Sequence, residues 1–297
     1  MRQPALSLIA LTVALASPGF SQDPAVTIGV LEWSKCSPQA PETVSARLLF
    51  QQQGAQWIAL TDPQDSQDHA RQSWVVAFDG RNLGSVVTLD NGLRGKGDRT
   101  HARDQLLQLA SEQPPPHVRN SSGTFTREGS WCGPSRWRPL VLVSQANVSD
   151  PQRWRPFKPD SSARRALFKR FRAVGDTVLV CPKGPDRSAQ AWEYGPSDLA
   201  FEKSYHDTLG HQLLSLRLKE PANACEFTAG PEWSAHWFLV AQDTLYLASE
   251  LELVDAGDYD GDGDSEVLFW HTGYDEDGYT LFYDQLRKRV DYWWHHH

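Results

Sequence analysis

Apolar residues in this chain come in runs of roughly four to eight, closed by Gly, Pro, Asn or Asp, and few recur at helical spacing. Runs of that length cannot build a helix bundle, but they have the length of strands. Thr27–Glu32, Ser45–Phe50, Gln56–Leu60, Ser73–Phe78 and Leu83–Leu89 open the series. Pro139–Ser144, Thr177–Cys181, Gln190–Tyr194, Leu199–His206 and Leu213–Lys219 continue it. His236–Ala241, Thr244–Ala248, Leu251–Asp255, Val267–His271, Tyr279–Tyr283 and Val290–Trp294 complete about sixteen candidate strands. The links Gln51 to Ala55 and Asp79-Gly80-Arg81-Asn82 read as hairpin turns. Composition agrees: 12 Trp against 1 Met, with 21 Gly and 19 Pro, favours strands and turns over helices. The expected fold class is all-β.

Two stretches break the pattern and predict short helices. Thr100–Ser111 carries Leu106, Leu107 and Ala110 and stops before Pro114-Pro115-Pro116. Ala163–Val174, capped by Ser161 or Ser162, places Ala163, Leu167, Phe171 and Val174 on one face and Arg164, Arg165, Lys169, Arg170 and Arg172 on the other. That basic face reads as a solvated surface, with an anionic partner as the alternative. The stretch Glu112–Pro156 is rich in Pro, Ser, Gly and Arg. It is either a long surface excursion or a boundary inside an otherwise single β domain spanning 23–297.

The start of the chain reads as a secretory signal peptide, Met1–Gln22. Arg2 is its charged start, Ala5–Ala16 its apolar stretch, and Ala14-Leu15-Ala16 and Gly19-Phe20-Ser21 its cleavage signals. The apolar stretch is shorter than the roughly 20 residues a spanning helix needs, and no later segment supplies them, so no transmembrane segment is expected. Secretion or a periplasmic location follows. Four cysteines remain, Cys36, Cys132, Cys181 and Cys225, an even number with no C-x-x-C pair, which suggests disulfides rather than zinc or redox chemistry. Cys36–Cys132 with Cys181–Cys225 keeps each bridge within one half of the chain, and the other pairings stay open.

One segment carries specific chemistry. Residues 258–266 read Asp-Tyr-Asp-Gly-Asp-Gly-Asp-Ser-Glu, placing carboxylates at alternate positions: Asp258, Asp260, Asp262, Asp264 and Glu266. Calcium takes six to eight oxygens at about 2.3–2.6 Å, and alternating acids on a glycine-permitted curl can supply them. Without a cation the same charges repel. An EF-hand would require Glu at the twelfth position, which is Phe269, and helices rather than the strands expected on either side. The segment Val254–Phe269 instead closely resembles the calcium loop of FG-GAP/VCBS repeats, the integrin-α-type units in which a D-x-D-x-D-G-x-x-D loop joins two strands of a propeller blade.

This resemblance spans about 251–283. It implies side-chain ligation by Asp258, Asp260, Asp262 and Glu266, with the backbone carbonyl of Asp264 as a further ligand. Glu266 departs from the family's usual Asp. The likeness also implies a β-propeller-like arrangement of short antiparallel strands, with twisted sheets or a β-sandwich as the alternative; about sixteen strands would make four or five blades of four. The Gly29-Val30-Leu31-Glu32 opening and the remainder look like exported bacterial proteins that end in one such repeat, and no activity comes with that wider likeness. The neighbouring Gly273–Tyr279 reads as a hairpin tip with Asp277-Gly278 as its turn; Asp275 or Asp277 would reach the ion only as a secondary contact.

No nucleophile elbow, phosphate loop or dinucleotide fingerprint is present, and His206-Asp207 with His211 lacks the helical spacing of a zinc motif. A glycosidase pair could be drawn from 37 acidic residues, so a secreted hydrolase acting on polysaccharide, with calcium as support, stands as the alternative to a binding or interaction module with an extracellular protein or glycan partner. Trp131, Trp137 and Trp154 lie in loop-rich sequence, where an indole could stack on a sugar. Trp33, Trp57, Trp74, Trp192, Trp233, Trp237 and Trp270 sit in or beside strands, where core packing is expected. The terminal His295-His296-His297 is not read as a metal site, and it fits a native end or the remains of a purification tag.

The formal net charge is -8, or -9 once the leader takes Arg2 with it, which disfavours a nucleic-acid partner. Nine of the 37 acidic residues fall between Asp255 and Asp277, with no Lys or Arg among them, so the excess is concentrated at the proposed cation loop.

Overall fold

The first half of the chain curls into a barrel. In a computed structural model, the described residues are 25–34, 39, 42–61, 69, 71–89, 106–110, 114–120, 136–175, 178–181, 188–219, 221, 234–273 and 276–295. Strands β1 (Thr27–Ser34), β2 (Thr43–Gln53), β3 (Gln56–Ala59), β4 (Ser73–Phe78), β5 (Arg81–Leu89), β6 (Leu106–Leu109) and β7 (Leu140–Val143) form one antiparallel sheet. Its order is β1-β7-β4-β5-β6-β2, and β2 pairs again with β1, so six strands close on themselves; β3 is a short addition on β2. Register shifts leave an extra residue in β2, Leu49 opposite Ile28/Gly29, and in β5, Leu83 opposite Val76/Ala77, and such bulges supply local twist for closure.

Side-chain alternation separates the inside of the barrel from the outside. Leu140 and Leu142 of β7 join Leu31, Leu48, Trp74, Val76 and Leu107 in the barrel interior. Val141 and Val143 point the other way, joining Ile28, Val30 and Leu49 in a second core. Tight two-residue turns join β2 to β3 and β4 to β5. Gly54 has φ +62, and Asp79 and Gly80 have φ +52 and +65, the signatures of hairpin turns that match strand twist.

The second half stacks two sheets and a helix on the barrel. Strand β8 (Arg155–Pro156) precedes helix α1 (Ser161–Val174), and β9 (Leu179–Val180) with β10 (Gln190–Ala191) forms a small ladder. Strands β11 (Leu199–His206), β12 (Gln212–Leu218), β13 (His236–Val240) and β14 (Thr244–Ser249) make an antiparallel meander to which β8 adds. Strands β15 (Leu251–Gly257), β16 (Glu266–Thr272), β17 (Glu276–Tyr283) and β18 (Lys288–His295) make a second meander, in sequence order.

The β15–β18 sheet is covered on both faces. Leu268, Trp270, Tyr279 and Leu281 pack toward the barrel, and Val267, Phe269 and Phe282 pack toward Leu213, Trp237 and Leu239 of the other meander. Burial on both faces explains why Val267-Leu268-Phe269-Trp270 is a continuous apolar run rather than an alternating one. The outer meander is closed by α1, whose Leu167 and Phe171 pack on Leu214, Leu216 and Phe238. Asp160 caps α1 by accepting the N–H groups of Ser162 and Ala163, both at 2.9 Å.

A buried ion pair fastens the barrel to the β15–β18 sheet. Arg47 Nε lies 3.0 Å from Glu32 Oε1 and its second nitrogen 3.1 Å from Oε2, while Tyr279 donates its hydroxyl to Oε1 at 2.9 Å. The Arg47 guanidinium also lies over the Trp294 ring at 4.3 Å.

All-β holds, and each of the sixteen expected strands corresponds to an observed one. A ring of blades is not shown by the described strands: those from Thr27 to Val143 close into a barrel, and β11–β14 and β15–β18 are meanders of four. The helix expected over Thr100–Ser111 is corrected where the chain is described, since Leu106–Leu109 is strand β6, bridging β5 and β2. Its cap is corrected too in α1, where Asp160 rather than Ser161 or Ser162 accepts the first amides. The turn expected at Asp277-Gly278 is also corrected. Both residues lie within β17, and the connection closes at Gly273, whose N–H donates to Glu276 O at 2.7 Å. Gly278 has no room for a side chain, because a Cβ there would collide with Trp293 and the Tyr292 carbonyl. The leader Met1–Gln22, Trp131, Trp233, Asp275, His296, His297 and three of the four cysteines lie outside the described residues; Cys181 follows β9. Among the described residues, no helix is long and apolar enough to cross a membrane.

Candidate metal centre

The acidic loop closes the β15–β16 hairpin, whose last pair is Gly257 with Glu266. Its base is pinned before it turns. Tyr259 is fully buried in the core facing the barrel, and the Asp258 N–H donates to Ser149 O at 2.7 Å. Gly257 must lack a side chain, since a Cβ would sit 2.9 Å from the Tyr259 ring and 3.2 Å from Ser149 O.

Beyond Tyr259 the backbone curls through Gly261 and Gly263, with φ of +79 and +94. The loop's own amides hold the carboxylates inward. Asp258 accepts Gly261 N–H at 2.7 Å and Gly263 N–H at 3.2 Å, Asp260 accepts Asp262 N–H at 3.2 Å, and Asp262 accepts Asp264 N–H at 2.8 Å. One carboxylate oxygen from each of Asp258, Asp260 and Asp262 lies within 4.8 Å of the others. Two oxygens on opposite sides of a calcium ion stand at most roughly 5 Å apart, twice the usual bond length, so these three fit a single ion.

The electrostatics of the loop point the same way. Burial pushes Glu266 up to about 9, with Asp260 the largest charged contributor. Burial and the neighbouring Asp262 push Asp260 up to about 6. Asp258 is raised by burial, and the Gly261 and Gly263 amides oppose the shift. A site whose carboxylates resist ionisation is one that a divalent cation would relieve.

Distant segments buttress the loop. Gln52 at the end of β2 donates to Asp260 Oδ2 at 2.7 Å, and Gln145 donates to the Tyr259 carbonyl. Gln152 donates to Asp264 Oδ1 at 3.1 Å and accepts Ser265 N–H at 2.7 Å, while the Ser265 hydroxyl donates to Asp150 at 2.8 Å. Below the loop, Asp255 is buried and pushed up to about 6 by that burial, although Asp79 N–H and the Tyr259 hydroxyl both donate to it.

Of the five residues expected at the site, Asp258, Asp260 and Asp262 converge. Glu266 stands at the loop's exit, buried, with Oε2 accepting Tyr259 N–H at 2.8 Å. The Asp264 carboxylate turns to Gln152 instead. Asp277 lies opposite Thr272, six residues along β16 from Glu266 and so roughly 20 Å from the loop, which corrects its role as a secondary contact. Gln52, Gln145, Asp150 and Gln152 were not legible as site residues, because nothing in their local sequence marks them. His206, Asp207 and His211 form the β11–β12 turn: Asp207 Oδ1 accepts Leu209 and His211 N–H at 2.9 and 2.8 Å, and Oδ2 lies 2.8 Å from His211 Nδ1. Trp137 is half-buried beside His117 and Trp33, not exposed as a sugar platform would be, and Trp154 is half-buried against the core between the two meanders.

Compared with known proteins, the chain matches no family model, no curated protein and no solved structure. The functional reading therefore rests on the residues themselves.

Proposed function

We propose that the protein is an exported, calcium-binding β protein that acts as a binding or interaction module, with calcium in a structural role. The observation that carries this reading is the convergence of one carboxylate oxygen each from Asp258, Asp260 and Asp262 to within 4.8 Å of one another, with no His or Cys in the group. Hard oxygen ligands on a short curled loop suit calcium better than zinc or copper, which favour nitrogen and sulfur. Asp258, Asp260, Asp262 and Glu266 would hold the ion with side chains and Asp264 with its carbonyl, as in the FG-GAP/VCBS repeat that 251–283 resembles. The ion would neutralise the loop and stiffen its grip on Gln52, Gln145 and Gln152. Secretion or a periplasmic location, where calcium is available at the roughly 10⁻⁴–10⁻³ M such modules bind, fits the leader Met1–Gln22.

Calorimetric titration of the calcium-free protein tests the ion directly. One calcium per chain is expected, with Asp258→Ala and Asp260→Ala each abolishing the heat; an unchanged isotherm in both variants would overturn the assignment. The hydrolase reading has one observation in its favour, a cleft beside the loop lined by Asp207, Asp243 and Asp264. Two of those carboxylates are already engaged, Asp207 by its own turn and Asp264 by Gln152, which favours binding over catalysis. A glycosidase screen on the calcium-loaded protein decides between them.

A further inference from the structure

The hairpin turns at the loop end of both meanders gather around one cleft of about 610 Å³. The β11–β12, β13–β14 and β17–β18 turns line it together with Gln152, Trp154 and the loop residues Asp264 and Ser265. That volume falls within the roughly 300–1,000 Å³ typical of small-molecule sites.

We propose that this cleft binds a neutral oligosaccharide, and that the calcium loop holds it in shape through Gln152. The lining pairs apolar surface with planar polar groups. The half-buried Trp154 and the strongly exposed Leu209, with Leu239 behind them, line the cleft with apolar surface for the apolar side of a sugar ring. Gln242, Asp243 and His211 present the amide, carboxylate and imidazole groups that hydroxyls bond. His211 is held by Asp207 through Nδ1, which leaves Nε2 as its remaining polar atom. Charge argues for a neutral ligand: Asp243 and Asp264 face the cleft with Arg287 as the one Lys or Arg among its lining residues, so an anionic sugar would meet net repulsion.

Coupling to calcium follows from a continuous chain of bonds. The Gln152 side chain joins Asp264 and Ser265, and the Gln152 backbone carbonyl accepts Thr208 N–H at 2.9 Å, on the turn that carries Asp207 and His211. Ordering the loop orders two walls of the cleft, and a sugar that needs those walls is linked to the ion. This coupling rests on the ion site proposed above; sugar binding at the cleft does not.

The test uses the full mature chain, short neutral gluco-, xylo-, manno- and chito-oligosaccharides, and saturation-transfer NMR with tryptophan fluorescence, in about 5 mM calcium or in EGTA. At least one series should bind in calcium, with Leu209→Arg and Gln242→Ala each weakening it about tenfold or more. Both positions are exposed, so loss of folding does not confuse the result, and loss of the sugar-induced fluorescence change in Trp154→Ala would place the sugar at that wall. EGTA should weaken binding by a similar factor, and Gln152→Ala should remove that calcium dependence. No binding by any neutral series, or binding indifferent to Leu209→Arg and Gln242→Ala, overturns the site. Sugar binding equal in EGTA, in a protein whose melting temperature still responds to calcium, overturns the coupling while leaving the ion site standing.

Discussion

Replacing Glu266 by Gln should stabilise the calcium-free protein while weakening its grip on calcium. Glu266 is 2 % exposed, and its carboxyl is held up to about 9 from an ordinary 4.5, chiefly by burial and then by Asp260. In the unfolded chain the group ionises near 4.5, whereas in the folded, cation-free chain it stays protonated until about 9. The unfolded state therefore sheds a proton that the folded state keeps, and stability falls as pH rises across that window, levelling off above it. Below 4.5 both states are protonated and nothing is lost.

At pH 7 the loss is about 1.36 kcal/mol for each pH unit above 4.5, or roughly 3 kcal/mol. Gln cannot ionise, keeps an oxygen to accept Tyr259 N–H, and has nearly the same volume. Urea denaturation in EGTA at pH 7 should therefore show the variant more stable by about 2–3 kcal/mol. Below about pH 6 both proteins lose stability with rising pH through Asp255 and Asp260, but between about 6 and about 9 the wild type should keep declining where the variant levels off. In saturating calcium that advantage should shrink by about 1.4 kcal/mol for each tenfold loss of calcium affinity, because a charged ligand is gone, and a loss of about a hundredfold would cancel it. A variant no more stable than wild type in EGTA, or one that binds calcium equally well, would refute the account of the loop as a charge cluster strained without its ion.

Three further outcomes follow from the packing. Gly278→Ala should destabilise the protein by about 1–3 kcal/mol or more whether or not calcium is present, because its Cβ meets Trp293 and the Tyr292 carbonyl; thermal melts with and without calcium check this. Arg47→Leu should cost about 3–5 kcal/mol by leaving Glu32 buried alone at the barrel junction, and Glu32→Leu in the same chain should recover much of that loss in urea titrations. Gly257→Ala should impair calcium binding at a distance by displacing Tyr259 and Ser149, seen as a weaker isotherm in a still-folded protein.

The strands were legible because each is a short apolar run ended by a turn residue, and the Asp79-Gly80 turn announced its hairpin. Their arrangement was not legible. The barrel closes by pairing β1 with β7 and β2 with β6, contacts between segments separated by scores of residues, and no local period encodes which strand neighbours which. Leu106-Leu107-Gln108-Leu109 satisfies helical and strand patterns equally over four residues, and the tertiary pairing with Ala46 and Arg47 decides the outcome. Asp277-Gly278 looks like a turn, yet its glycine serves close packing under Trp293 instead. The acidic loop was legible because its carboxylates lie next to one another in sequence and its glycines permit the curl. Its buttress was hidden for the opposite reason, since Gln52 and Gln152 reach Asp260 and Asp264 from 208 and 112 residues away.

Thermal unfolding of the mature chain in EGTA and across a calcium series, beside Asp260→Ala, tests the ion site most directly. Binding to the folded state alone predicts a stabilisation of roughly 2.7 kcal/mol at a hundredfold excess over Kd. In a chain of this size that should lift Tm by roughly 5–10 °C, rising with the logarithm of calcium concentration and absent in Asp260→Ala. A Tm that is the same in EGTA and in millimolar calcium, with Asp260→Ala indistinguishable from wild type, would contradict the calcium site.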